Sequence, residues 1–247
     1  AIASINAGVH GLGYWTFMDL VDDFSPGYLN RWGTFRASGA DRSTRAIYYG
    51  YGLLTRYFRG PSTAYRVATD DPRLRAASVH HRDGSWSIAV VNRNTRATTF
   101  ELAVPEQRDS VPMRTYAYDP DAVRHHPHGD LPGPSGSVTL RAGKLRDTVA
   151  PMSLVVYTSG FDDTAPPAVE DVQHTSSDEG VRVSWQPVSV PDLCYYRVYR
   201  LHGDARTQIG STIATALLDR TPVAGARYAV TAVDMSGNEG RQTAHGN

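Results

Sequence analysis

Apolar and polar positions alternate in short runs through most of this chain, but its first sixty residues follow a different rule. Ile2 and Ile5 share one face of a helical turn, and Gly8 suits a C-terminal stop. After the glycines of "HGLGYWTFMDL", Tyr14, Trp15 and Phe17 read as a short strand that ends on a carboxylate, Asp19. A long polar and aromatic loop follows. Ile47, Tyr51, Leu54 and Phe58 then recur at helical spacing, with Asp41 and Ser43 as candidate caps and Gly60-Pro61 as the breaker. One strand between two helices is α/β grammar, and a piece this small cannot bury its own faces. It is expected to belong to a larger sheet or barrel.

From Ser62 to Ser159 the period changes to two. "STAYRVA", "RAASVHH", "SWSIAVVN", "TFELAV", "RTYAYD", "GSVTL" and "MSLVVYT" are separated by turn stretches such as "RDGS" and "NRNT". Seven or eight short strands without helices predict an antiparallel sandwich or barrel. The Pro-Pro and acidic residues of "SGFDDTAPP" suit an exposed linker. Beyond it, Val181, Val183 and Trp185 share a face, as do Tyr196 with Val198, and Tyr228 with Val230 and Ala232. The expected organisation is therefore a barrel piece over 1–60, a sandwich over 61–160, and a linker with a second all-β module over 161–247.

Composition narrows the function classes. The chain of 247 residues is 40% hydrophobic and 20% charged, with a formal net charge of zero, which argues against a basic nucleic-acid surface. No segment approaches the ~20 apolar residues of a membrane span. A single cysteine, Cys194, excludes an internal disulfide framework and a cysteine-rich zinc site. "RHHPHGD" gathers His125, His126, His128 and Asp130, but a proline- and glycine-rich loop holding adjacent histidines reads as a solvated loop rather than a metal site. No cofactor motif stands out, and no metal or cofactor is expected.

Read together, "GLGYWTF", the loop reaching "NRWGTF", the helix "RSTRAIYYGYGLLTRYFRG" and the sandwich ending "MSLVVYT" resemble the C-terminal end of a clan A glycoside hydrolase. The order is most similar to the β-xylosidase-like family 39. The resemblance spans residues 1–159 and implies the last strand and helix of a (β/α)8 barrel, followed by a β-sandwich. The buried-Trp strand and the "TPVAGARY" corner resemble a fibronectin type III module. That resemblance makes Tyr228 the tyrosine-corner residue, its hydroxyl bonding back to the chain just upstream.

The glycosidase resemblance also assigns candidate site residues. The strand end faces the active site of such barrels, and Trp15 matches the aromatic platform lying against the C–H face of a sugar, often before a non-proline cis peptide. Asp19, Asp22 and Asp23 are candidates for hydrogen bonds to sugar hydroxyls, and Phe24, Tyr28 and Trp32 for walls of outer subsites. A retaining glycosidase needs two carboxyl groups about 5 Å apart, in this clan glutamates from strands 4 and 7. No glutamate precedes Glu101, which falls in the sandwich. No catalytic residue is therefore expected in this chain, and the chain alone is expected to be inactive.

The resulting reading is the C-terminal portion of a secreted retaining glycoside hydrolase acting on poly- or oligosaccharides. Its partners would be a carbohydrate substrate and an upstream barrel segment of the same protein, with no nucleic acid and no membrane. The alternative is a non-catalytic glycan- or protein-binding protein built of β-sandwich modules.

Overall fold

The computed structural model describes residues 1–14, 17–21, 29–30, 33–36, 43–104, 107, 109–118 and 128–244. It is mostly sheet, with 45% of residues in strands and 8% in helices. The chain divides into two compact units, Ala1–Phe161 and Asp162–Asn247.

The first unit opens with helix α1 (Ile2–Asn6). Gly8 follows at φ 76°, a left-handed conformation that glycine adopts without a Cβ penalty. The Asn6 amide stitches this turn to the sheet, donating to the carbonyls of Ala76 and Val67 and accepting from the Val67 N–H. Residues 11–14 of the predicted strand lie in no ladder. Pairing begins only at the parallel bridge of Met18 with Phe35 and at the short antiparallel pair β1 (Leu20–Val21) and β2 (Leu29–Asn30).

Helix α2 runs Ala46–Tyr57. The residue at its N-cap is Arg45, with no side-chain cap bond, so the cap expected at Ser43 does not form; Asp41 lies outside the described residues. Its deeply buried apolar residues are Tyr49, Leu53 and Tyr57, a stripe at intervals of four. The predicted stripe of Ile47, Tyr51, Leu54 and Phe58 lies on the neighbouring face and is only half-buried. The helix thus carries two apolar faces, and the sheet takes the one that flat aromatic rings can cover.

That sheet has six antiparallel strands in the order β3-β4-β5-β10-β7-β8. They are β3 (Ser62–Tyr65), β4 (Leu74–His81), β5 (Trp86–Asn92), β7 (Val111–Tyr118), β8 (Gly136–Leu140) and β10 (Ser153–Thr158). A two-stranded sheet of β6 (Thr98–Ala103) and β9 (Lys144–Val149) closes over one face. Ile88, Val90, Val155 and Tyr157 point into this sandwich, against Phe100, Leu145 and Val149. On the opposite face Ala89, Leu154 and Val156 meet Leu53 and Tyr57 of α2. Because both faces of β5 and β10 are covered, their sequences are almost continuously apolar rather than alternating. Strand β9 was not among the predicted runs, since only Leu145 and Val149 break its polar sequence.

The second unit is also a sandwich. A three-stranded sheet, β11-β12-β15, comprises β11 (Gln173–Ser177), β12 (Gly180–Ser184) and β15 (Ala216–Asp219). It faces a four-stranded sheet, β14-β13-β16-β17, made of β13 (Leu193–His202), β14 (Ala205–Thr212), β16 (Arg227–Asp234) and β17 (Thr243–Ala244). Val181, Val183, Trp185, Tyr196, Val198, Tyr228, Val230 and Ala232 all meet in one core, as the period-two pattern predicts. The Tyr228 hydroxyl donates to the Asp219 carboxylate at 2.9 Å rather than to a main-chain group. Asp219 also receives Arg200 at 3.0 Å, so the corner is an ionic one.

Candidate functional site

The described residues around Asp19 form a tightly bonded knot. Phe35 donates its N–H to the Phe17 carbonyl at 3.1 Å, and Asp19 donates its N–H to the Phe35 carbonyl at 3.2 Å. Thr34 adds its hydroxyl to the Phe17 carbonyl at 2.6 Å. Gly33 sits so close that a Cβ would lie 2.3 Å from the Asp19 nitrogen and 2.7 Å from the Phe35 oxygen. Only glycine allows this approach.

Asp19 is 3% exposed. One carboxylate oxygen accepts the Gly33 N–H at 2.9 Å, and the other accepts Arg45 Nη2 at 2.5 Å. The acid therefore ties the strand end to the far side of the loop and to the start of α2. Arg45 Nε is buried with no acceptor, a group that costs on the order of 1–3 kcal/mol when left unsatisfied. Around the knot runs a chain of rings: Phe17 to Phe35 at 4.8 Å, Phe35 to Tyr48 at 5.1 Å, Tyr48 to Tyr49 at 5.2 Å, and Tyr49 to Tyr118 at 6.1 Å. Tyr14 packs on Tyr51 at 5.1 Å.

Of the candidate sugar-contacting residues, only Asp19 is among the described residues. Trp15 and the peptide after it, Asp22, Asp23, Phe24, Tyr28 and Trp32 lie outside them. The same holds for His125 and His126 of the histidine-rich loop, whose Gly129 carbonyl accepts the Tyr48 hydroxyl at 2.8 Å.

Beside this knot the surface is apolar. Among the described residues, Val9, Leu12, Tyr14, Phe17 and Met18 make up five of the nine exposed large hydrophobic side chains, with Phe17 73% exposed. Ile5, Val9, Leu12, Leu54 and Phe58 line a groove of about 660 Å³ between α1, α2 and β3. Tyr51, Leu54 and Phe58 bring to it the half-buried second apolar face of α2.

Among the described residues, one group of carboxylates has the geometry to hold a cation, and sequence reading missed it. Asp162, Asp192 and Asp234 bring oxygens within 4.8 Å of one another in the second unit. Asn238 donates to Asp162 Oδ1 at 3.1 Å and to Asp234 Oδ2 at 2.8 Å, so the cluster already has internal donors. Burial, and then the charges of Asp162 and Asp234, hold the Asp192 carboxyl above the usual carboxylate range. Its members, at 162, 192 and 234, are too far apart in sequence to read as a set.

No protein-family pattern matches this sequence, and no curated protein does. Among solved structures, the chain is similar to a family 30 glycoside hydrolase endoxylanase from Clostridium papyrosolvens, with 13% identity, TM-score 0.39, and 47% of this chain and 28% of that one covered. A bacterial orthologue of human α-L-iduronidase gives 16% identity, TM-score 0.35, and 71% and 38% coverage. A family 30 subfamily 8 xylanase from Clostridium acetobutylicum gives 10% identity, TM-score 0.40, and 52% and 30% coverage. The chain thus spans well under half of the length of each of these proteins.

Proposed function

We propose that this chain is the C-terminal portion of a secreted retaining glycoside hydrolase, in which residues 1–60 complete a (β/α)8 barrel, residues 61–160 form its β-sandwich, and residues 161–247 carry a fibronectin type III-like module. The observation that supports this reading is the apolar surface of Val9, Leu12, Tyr14, Phe17 and Met18 together with the half-buried second apolar stripe of α2. A barrel's last strand and helix present such surfaces to the strands and helices beside them. Burying each large side chain is worth roughly 1.5–3 kcal/mol, so this face favours a covering segment.

In this reading Trp15 is the sugar platform, while Asp22, Asp23, Phe24, Tyr28 and Trp32 line the subsites beyond it. Asp19, with both oxygens engaged, contributes by fixing the strand end and loop. The acid/base and nucleophile are glutamates upstream of Ala1. The test is hydrolysis of aryl glycosides by the upstream-extended protein and by the 247-residue chain. The extended protein should turn over, the chain alone should not, and Trp15→Ala in the extended protein should lower kcat/KM by about tenfold or more with an unchanged melting temperature. Full turnover by the 247-residue chain, or wild-type kinetics in a folded Trp15→Ala variant, would defeat the reading.

A further inference from the structure

On the first unit, apart from the Asp19 knot, the C-terminal turn of α2 and the β4–β5 hairpin enclose a cavity of about 480 Å³. Its walls are unusually cationic. Arg56, Arg59 and Arg82 line it together with His81, and among the described residues Asp83 is the one carboxylate there. The Ser87 hydroxyl lies 3.1 Å from that of Thr158 and 3.0 Å from His81 Nε2, so a hydroxyl-rich floor sits beneath the arginines.

Arg56 is only 7% exposed, and a guanidinium is strongly disfavoured in such a position without partners that accept from it. Its head is held in place by the Tyr57 hydroxyl, which in turn meets Tyr116. Burial, and then Tyr116, pushes the Tyr57 phenol up, so this neighbour stays neutral and cancels none of the positive charge. Asp83 accepts both the N–H and the hydroxyl of Ser85, at 2.9 and 2.7 Å. Arg59 and Arg82 make no ion pair among the described residues. The C-terminal end of α2 contributes about half a negative charge. Against the two charges of Arg59 and Arg82 alone, Asp83 and that helix end still leave a positive excess of roughly half a charge.

We propose that this cavity binds a compact oxyanion: a carboxylate, sulfate or phosphate group, free or carried on a saccharide. The volume falls within the range of small-molecule sites, about 300–1,000 Å³. Guanidinium groups suit such a ligand because their planar forks pair bidentately with oxyanions. Of the bonded pair Ser87 and Thr158, the hydroxyl that does not donate to the other has a proton to offer a further oxygen. This site stands whether or not the glycosidase reading does.

Isothermal titration calorimetry of the 247-residue chain tests it, with sodium sulfate, sodium glucuronate and uncharged glucose as probes at low ionic strength. Saturable binding of sulfate or glucuronate, with none of glucose, is the expected result. Tighter binding of glucuronate would identify the saccharide-borne anion as the source, and tighter binding of sulfate the free ion. Arg59→Ala and Arg82→Ala, both at exposed positions, should each weaken binding about tenfold without changing the melting temperature. The double variant Arg59→Glu with Arg82→Glu should abolish it. Absence of anion binding, equal binding of glucose, or undiminished affinity in the folded double variant would overturn the proposal.

Discussion

At the scale of single residues, the closest approach in the first unit is made by Gly33. Gly33→Ala must push a methyl group into the Asp19 and Phe35 backbones, a clash with main chain that no side-chain rotation relieves. The expected cost is on the order of 1–3 kcal/mol, read as a fall in the thermal midpoint of the chain; an unchanged midpoint would show that the knot is not packed this way. Asp19→Asn removes the charge that faces Arg45, which keeps 24% of its side chain exposed. Breaking a buried pair costs about 3–5 kcal/mol, and the partial exposure of Arg45 places this case at the low end. In the second unit Glu239 accepts from Arg197 at 2.6 Å, Tyr199 at 2.7 Å and Thr231 at 2.6 Å. Burial alone would raise its carboxyl, but the hydrogen bonds of Thr231 and Tyr199 and the charge of Arg197 prevail and hold it below the usual range. A carboxyl depressed in the folded state binds fewer protons there than when unfolded. Its stabilisation is therefore present above the ordinary glutamate range and lost as pH falls through the lower, folded value. Urea midpoints measured from pH 7 downwards should fall through that acid window, and Glu239→Gln should flatten the limb and lower the neutral-pH midpoint.

Among the elements, α2 offers the sharpest contrast, because two adjacent leucines sit on its two apolar faces. Leu53 is 0% exposed among Ala89, Tyr116, Leu154 and Val156. Leu53→Ala should leave a cavity costing about 2–5 kcal/mol. Leu54 lies half-buried on the groove toward α1 and residues 8–12, so Leu54→Ala should cost less than about 1 kcal/mol in the 247-residue chain. If the upstream segment covers this face, as proposed, the Leu54→Ala penalty should rise towards that of Leu53→Ala in the extended protein. Equal, small penalties for Leu54→Ala in both would argue that the face stays open. In the first sandwich every strand but β9 was legible, and in the second β12, β13 and β16 were, because a half-buried strand writes its alternation into the sequence. The orientation of α2 was not, because a helix apolar on two sides offers two stripes and the sequence does not say which one meets the sheet.

For the molecule as a whole, each compact unit holds its own apolar core. Residues 162–247 bury Val169, Val183, Trp185, Tyr196, Tyr228 and Val230 together and pair their strands among themselves. Expressed alone they should fold, with a dispersed amide spectrum and a cooperative melt; a collapsed spectrum with no melting transition would refute that autonomy. Residues 1–60 alone should not fold, since the buried face of α2 depends on β5, β7 and β10.

What the sequence determined by itself was the periodic part of the protein: most of the alternating strands and the core residues of the second unit. Those features depend on neighbours one to four positions apart, and such neighbours are visible in a one-dimensional string. The tertiary structure alone decided that Asp19 is a buried clamp, that Gly33 cannot carry a side chain, that Tyr228 bonds Asp219, and that Arg56, Arg59 and Arg82 converge on one cavity with Ser87 and Thr158. Each of these joins residues far apart in the chain through chemistry that leaves no local period. Only folding brings a helix end, a hairpin and a last strand to one place, and a site made by such convergence is invisible until it does.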